Sequence, residues 1–240
     1  MVSRLVKSRA SIKDRWTEKR LEHVRISDQI YELITQGIIE GSIRYGDRLN
    51  IKQIAQELKV SPMPVRDAIK RLESEGIVVV KPQSNCYVRM PTQKSMLDAF
   101  ELRYILEMSS LEKIYRTVGP EDLKDMKYYL ERMEERAPGW YDPEQMKEYV
   151  KYDQLFHREI CVLAGNEYLL NSYRYAVLHL NISLTFDAGA EPDMQQVQND
   201  HRTLFQFLSE NSDQCVEVLR RHLTTCKRNM VSGEVFKSLE

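Results

Sequence analysis

Asp153 and His157 stand four residues apart in the segment YVKYDQLFHREICVLAG, and this spacing places both side chains on one face of a helix. The same face is otherwise apolar and includes Val150, Ile160 and Ala164. A carboxylate and an imidazole on an apolar face are costly to bury unless they are paired or bind a metal. Asp153 and His157 are therefore the first candidate functional residues in the chain.

Two later histidines extend this candidate site. His201 opens HRTLFQFLSE, and His222 shares an inward stripe with Cys215, Val218 and Leu219. Three imidazoles and one carboxylate suit a borderline divalent cation such as zinc, nickel or manganese. A single histidine is more often a satisfied core or surface residue, so an ordinary polar core stays open as the alternative.

The elements that carry these residues are helical. After MPTQ the chain has no strand pattern, and breaks at Gly119-Pro120, Ala137-Pro138-Gly139, Gly165-Asn166, Gly189 to Pro192 and Asn211-Ser212 leave about six helices of roughly 15 to 24 residues. The pattern predicts an all-α bundle over residues 93–232, followed by a tail at 233–240.

Residues 24–92 follow a different pattern. Two amphipathic helices, a short turn at Lys59-Val60, a third helix and the β-branched runs IVVV and CYVRM predict a winged helix-turn-helix with three helices and a β-hairpin wing. The third helix begins at Ser61 and has prolines in its first turn, where a missing N–H is tolerated. Its outward residues are Met63, Arg66, Asp67 and Lys70.

The charge distribution points to a polyanionic partner for the first part of the chain. Residues 1–92 hold 17 Lys and Arg against 11 Asp and Glu, whereas the remainder holds 18 against 25. Residues 1–23 form a basic arm that we expect to be flexible. No membrane span or signal peptide is apparent, and four widely spaced cysteines fit a reducing cytoplasm.

The run QIYELITQGIIEGSIRYGDRLNIKQIAQELKVSPMPVRDAIKRLESEGIV resembles the DNA-binding domain of GntR-family bacterial transcription factors. The resemblance implies contacts to double-stranded DNA from Lys52 and Arg66, and from the helix start at Ser61. The chain departs from the family pattern at Pro62, where a basic residue is common, and in the wing, where Ser84 and Asn85 replace an Arg-Gly step. We expect DNA contacts at Lys52, Ser61, Met63, Arg66, Lys70, Ser84 and Asn85.

The second part resembles the FCD ligand-binding domain of the FadR-type branch. The matching residues include Leu102-Arg103, Leu106-Glu107 and the series Asp153, Phe156, His157, Ile160, Ala164, Gly165, Asn166 and Leu169, then His201 and His222-Leu223. The resemblance implies a metal bound by Asp153, His157, His201 and His222, and an effector contact at Arg103. A surface ion pair of Arg103 with Glu107 is the alternative. His23 and His179 match nothing in the pattern and are interpreted as structural.

The sequence therefore predicts a regulator that binds a palindromic operator as a homodimer and responds to a small carboxylate. The short linker from Met90 to Gln93 is where domain orientation would change. Two other hypotheses are a metal-dependent hydrolytic enzyme and a DNA-binding protein without a ligand. The chain shows no second catalytic carboxylate, nucleophile motif or glycine-rich phosphate loop, so we predict that it is not an enzyme.

Overall fold

The computed structural model describes residues 25–81, 85–139, 141–180 and 193–232. Across these residues the chain is mainly helical with one small sheet near its start, which confirms the predicted fold class. The predicted basic arm (1–23) and tail (233–240) lie outside the described residues, as does Ser84 in the wing.

The first part is a winged helix-turn-helix. Its elements are α1 (Ile26–Ile39), β1 (Arg48–Leu49), α2 (Ile51–Glu57), α3 (Pro62–Ser74), β2 (Val78–Lys81) and β3 (Asn85–Val88). The three strands form an antiparallel sheet in the order β1-β3-β2, with Val78 opposite Val88 and Arg48 opposite Tyr87. Buried residues of all three helices and of the sheet share one core.

Short-range interactions fix the helix-turn-helix. Asn50 caps α2, because its side-chain oxygen accepts the N–H groups of Lys52 and Gln53 at 3.0 and 3.2 Å. Lys59 adopts a left-handed conformation (φ 55°), which turns the chain sharply between α2 and α3. Ser61 occupies the N-cap position of α3 in an extended conformation, but its side chain makes no capping hydrogen bond. The proline-rich first turn, which has few N–H groups to satisfy, starts this helix.

The second part is a helical bundle. Its helices are α4 (Gln93–Ile114), α5 (Lys124–Arg136), α6 (Pro143–Leu163), α7 (Glu167–His179), α8 (Met194–Ser209) and α9 (Gln214–Ser232). These are the six predicted helices, counted over the described residues, although α5 and α7 have only 13 residues each. Within the described ranges, no helix is long and apolar enough to cross a membrane.

Helix α6 lies at the centre of the candidate site. Asp142 caps its start by accepting the N–H groups of Glu144 and Gln145, each at 3.0 Å. Ile160, on the apolar face predicted from the sequence, is fully buried in the bundle core, and so is Phe156, which the prediction did not place on that face. Because α6 packs against α4, α5 and α7, polar side chains on its inner face meet groups from other helices.

Helix α7 joins the two parts of the molecule. Leu178 is buried in the core of the winged helix, and the Tyr45 hydroxyl donates to the Leu178 carbonyl at 3.0 Å. Arg174 pairs with Glu32, and the Tyr175 hydroxyl donates to the carbonyl of Glu75 at 3.3 Å. We refer to these contacts as the α7 junction.

Candidate metal centre

Three buried histidines from three helices meet in the bundle. His157 lies on α6, His201 on α8 and His222 on α9, and each is at most 2% exposed. The Nε2 atom of His157 lies 3.2 Å from Nε2 of His201 and 3.2 Å from Nε2 of His222. Imidazoles bind zinc at about 2.0–2.1 Å, so two ligands of one ion lie roughly 2.9–3.4 Å apart. The spacing therefore fits a shared metal ion.

Asp153 adds a carboxylate to the cluster. Its Oδ1 atom lies 3.2 Å from Nε2 of His201 and 3.9 Å from Nε2 of His157. Burial raises the pKa of Asp153, but His201 and His157 outweigh burial and lower it below the usual range. The carboxylate is therefore ionised and available as a ligand. The structure thus brings His157, His201 and His222 together as one possible set of metal ligands, and the fourth residue that the sequence indicated, Asp153, lies beside His201 and His157.

The protonation of His157 and His201 also suits metal binding. Burial lowers the pKa of both imidazoles, despite the nearby carboxylates Glu107 and Asp153. The pKa of His222 is lowered by burial as well, but Cys226 and Asp200 outweigh this and raise it overall. A metal ligand must be a neutral imidazole, and the environment of His157 and His201 favours that form.

Glu107 orients His157 from behind the cluster. The Nδ1–H group of His157 donates to Oε2 of Glu107 at 2.7 Å, so its Nε2 atom carries the lone pair that faces the other histidines. Asp200 lies behind His222, with Oδ2 3.8 Å from Nδ1, and is itself held by Arg221 at 2.6 Å. These contacts form an outer shell of the kind that positions metal ligands.

The predicted effector contact Arg103 lies in this outer shell. Its Nε–H group donates to Oε1 of Glu107 at 2.6 Å, and the residue is 4% exposed. The ion pair that the i, i+4 spacing suggested is therefore present, but it is buried rather than on the surface. A role of Arg103 in effector binding stays a prediction.

Two buried donors near the cluster were not singled out from the sequence. Gln198 accepts the Tyr149 hydroxyl at 3.0 Å, yet its Nε2 group has no hydrogen-bond partner among the described residues. The Tyr173 hydroxyl is likewise unpartnered in the described part of the chain. Gln198 precedes His201 by one turn of α8, and Tyr149 precedes Asp153 by one turn of α6. Unsatisfied buried donors beside a candidate metal site point to a ligand that would accept their hydrogen bonds.

The residues expected to contact DNA lie on the winged helix. Lys52 on α2 is exposed, as are Ser61, which precedes α3, and the α3 residues Met63, Arg66 and Lys70. Asn85 is the first residue of β3 and is paired with Lys81, and Ser84 lies outside the described residues. Met63, Arg66 and Lys70 therefore lie on one outward face of α3, as the sequence predicted.

Comparison with known families agrees with both halves of this architecture. Residues 26–88 match the family described as bacterial regulatory proteins, gntR family, and residues 98–225 match the FCD domain. Because the matched families are regulatory, the prediction that the chain is not an enzyme is confirmed.

Individual relatives are distant but extend over much of the chain. The HTH-type transcriptional regulator YdhC of Bacillus subtilis (strain 168) is 20% identical, covering 79% of this chain and 83% of the relative. The gluconate operon transcriptional repressor of the same organism is 28% identical, covering 65% of this chain and 60% of the relative. The solved structure of E. coli McbR/YncC has the same fold, with a TM-score of 0.77, 19% identity and coverage of 87% and 98% of the two chains.

The chain therefore belongs to the GntR family of transcription regulators, in the FadR-type branch that carries an FCD domain.

Proposed function

We propose that this regulator binds a palindromic operator as a homodimer and senses a small organic acid at a divalent metal in its helical domain. In this proposal Asp153, His157, His201 and His222 hold the metal in a cytoplasmic protein. The winged helix binds double-stranded DNA through the residues exposed on α2 and α3, with the wing contributing Ser84 and Asn85.

One observation carries the metal assignment. The Nδ1–H group of His157 is committed to Glu107, so the lone pair on its Nε2 atom points at two further Nε2 atoms 3.2 Å away. Neutral imidazoles so close would repel one another unless a proton or a cation lay between their nitrogen atoms. Asp153 lies beside them as an anionic donor. A divalent cation satisfies all four groups at once.

The metal and its surroundings suggest the class of effector. Four protein ligands leave coordination positions open on a six-coordinate cation such as manganese or nickel, and a carboxylate is a natural occupant. Arg103 would add a guanidinium. The Nε2 group of Gln198 and the hydroxyl of Tyr173, which have no partner in the part of the chain that the structure describes, would donate hydrogen bonds to oxygen atoms of the effector. A small acid with more than one oxygen-bearing group matches this set of donors.

A melting experiment tests the metal site. We expect a chelator to lower the melting temperature and zinc, nickel or manganese to restore it, because an ion that binds only the folded chain stabilises it. His157→Ala should abolish the restoration. His179→Ala is the matched control, since His179 is a half-buried histidine on α7 outside the cluster, and the metal response should persist. Melting that is insensitive to added metals would make the cluster an ordinary polar core.

Sedimentation tests the dimer. A single winged helix covers about one half-site, so a two-fold operator requires two copies. We expect the helical domain to provide the contact between them. A monomer at micromolar concentration, both alone and with operator DNA, would contradict this part of the proposal.

A further inference from the structure

Met63 places an apolar side chain at the start of the helix that a winged helix presents to DNA. It is 65% exposed, more than any other large apolar side chain among the described residues of the winged helix. Single exposed apolar residues are common on protein surfaces, so the position of Met63 carries more weight than its exposure. It is the second residue of α3, and the N-terminal residues of a recognition helix are those that reach base edges in the major groove.

The packing of α3 fixes the direction in which Met63 points. Val65 and Leu72 are completely buried and hold one face of the helix against the winged-helix core. Met63 precedes Val65 by two residues, which is about 200° around a helix, so it lies on the side opposite this core. Arg66 and Lys70 are exposed on the same outward side. A rotation of α3 that turned Met63 away from DNA would also expose its buried face.

The first turn of α3 offers few groups for polar contacts beside Met63. Pro62 and Pro64 lie on either side of it in the chain, and neither has a backbone N–H group that could donate to a phosphate or a base. A methionine side chain has no donor, and its sulfur is only a weak acceptor. A contact made by this turn is therefore mainly apolar.

The base edges of the major groove include a matching apolar group, the C5-methyl of thymine. We propose that Met63 contacts this methyl group, so that each half-site of the operator holds a T·A base pair at the position facing the start of α3. The unbranched, polarisable thioether side chain adapts readily to the shape of a methyl group. This inference rests on the proposed function, in which the exposed residues of α3 bind double-stranded DNA, and it names the base that one of them recognises.

Deoxyuridine tests the assignment, because its base differs from thymine only in lacking the C5-methyl. The operator is selected from random DNA by the wild-type protein, and each thymine of one half-site is then replaced in turn. At one position we expect the affinity measured by fluorescence anisotropy to fall about three- to fivefold, the size expected for burying one methyl-sized group.

Variants at position 63 show whether this loss comes from Met63. Met63→Ala should bind the thymine and deoxyuridine operators equally at that position, whereas Met63→Leu should keep the preference, since leucine has a similar apolar volume. Leu33→Ala is the matched control, because Leu33 is another exposed apolar residue of the winged helix, 58% exposed on α1, and this variant should keep the wild-type preference. All three variants should melt close to the wild-type temperature because the changed side chains are exposed.

The outcomes separate this inference from the proposed function. A selected operator in which no thymine responds to deoxyuridine, or a response that persists in Met63→Ala, would overturn the role of Met63 and leave operator binding intact. A wild-type protein that enriches no sequence from random DNA would overturn operator binding itself, and this inference with it.

Discussion

Glu107 connects the guanidinium of Arg103 and the imidazole of His157 inside the bundle. It is fully buried, and its two oxygen atoms accept from Nε of Arg103 at 2.6 Å and Nδ1 of His157 at 2.7 Å. Burial raises the pKa of Glu107, but His157 and Arg103 outweigh burial and lower it. The ionised carboxylate therefore neutralises the buried guanidinium and at the same time selects the tautomer of His157 that binds a metal through Nε2.

We expect Glu107→Gln to weaken zinc binding about 10- to 100-fold, because it removes the charge that orients His157. Stability should fall by about 3–5 kcal/mol, since the buried charge of Arg103 loses its partner. Calorimetric zinc titration and urea unfolding measure the two effects. Glu112→Gln, an exposed change on the same helix, is the control. An unchanged zinc affinity would show that Glu107 does not position the ligand.

The residues that meet across helices show how far the sequence could predict this site. The i, i+4 spacing placed Asp153 beside His157 because both belong to one helix. The pairing of Tyr149 with Gln198 joins α6 to α8, and its geometry depends on how the bundle packs. A sequence pattern predicts which face of a helix a side chain lies on, but not the level along the axis at which two helices meet. The Nε2 group of Gln198, which has no hydrogen-bond partner among the described residues, therefore had no sequence signal.

Helix α3 separates two functions onto two faces. Val65 and Leu72 are fully buried against the winged-helix core, whereas Arg66 is exposed at the N-terminal end. On another side of the helix, the guanidinium of Arg71 lies 3.6 Å from the ring centre of Tyr31 and pairs with Glu75 at 3.1 Å. The 3.6-residue period predicted the buried face correctly because the helix is regular. The contact of Arg71 with Tyr31 depends on the position of α1.

Arg66→Ala should weaken operator binding by about 1–3 kcal/mol if the guanidinium reaches a guanine edge. The measurement is affinity for an operator selected from random DNA by the wild-type protein, compared with affinity for random duplex. An equal loss on both DNAs would mean that Arg66 binds only phosphate. Arg71→Ala is the matched control on the same helix: it should lower stability through the loss of its contacts with Tyr31 and Glu75 and leave DNA affinity unchanged.

At the scale of the whole molecule, α7 contacts both functional parts. Tyr173 on one face is buried beside Cys161 of α6, while Leu178 on another face is buried in the winged-helix core. The sequence predicted a change of domain orientation at the short linker 90–93, which joins the two predicted domains. It did not indicate that α7 bridges the domains, since the α7 junction forms between residues a hundred or more positions apart. A ligand changes DNA affinity only if it binds two arrangements differently, and α7 is placed to differ between them.

Tyr45→Phe tests this connection. The change removes the hydroxyl that donates to the carbonyl of Leu178 and should lower stability by about 0.5–1.5 kcal/mol. If α7 transmits the state of the metal centre, the ratio of operator affinities measured with and without zinc should move towards one in this variant. The affinity of the metal-free protein should stay close to wild type, because Tyr45 lies away from the outward face of α3.

The control for Tyr45→Phe is Tyr168→Phe, which removes the same hydroxyl from an α7 residue that is 86% exposed and should leave the zinc-dependent ratio intact. A typical coupling of about 1–3 kcal/mol corresponds to a ratio of roughly 5 to 150 in the wild-type protein, which fluorescence anisotropy resolves. A Tyr45→Phe protein that keeps the full wild-type ratio would show that the signal bypasses this hydrogen bond. The helical domain would then act on the DNA-binding domain through the other contacts of the α7 junction or through the linker.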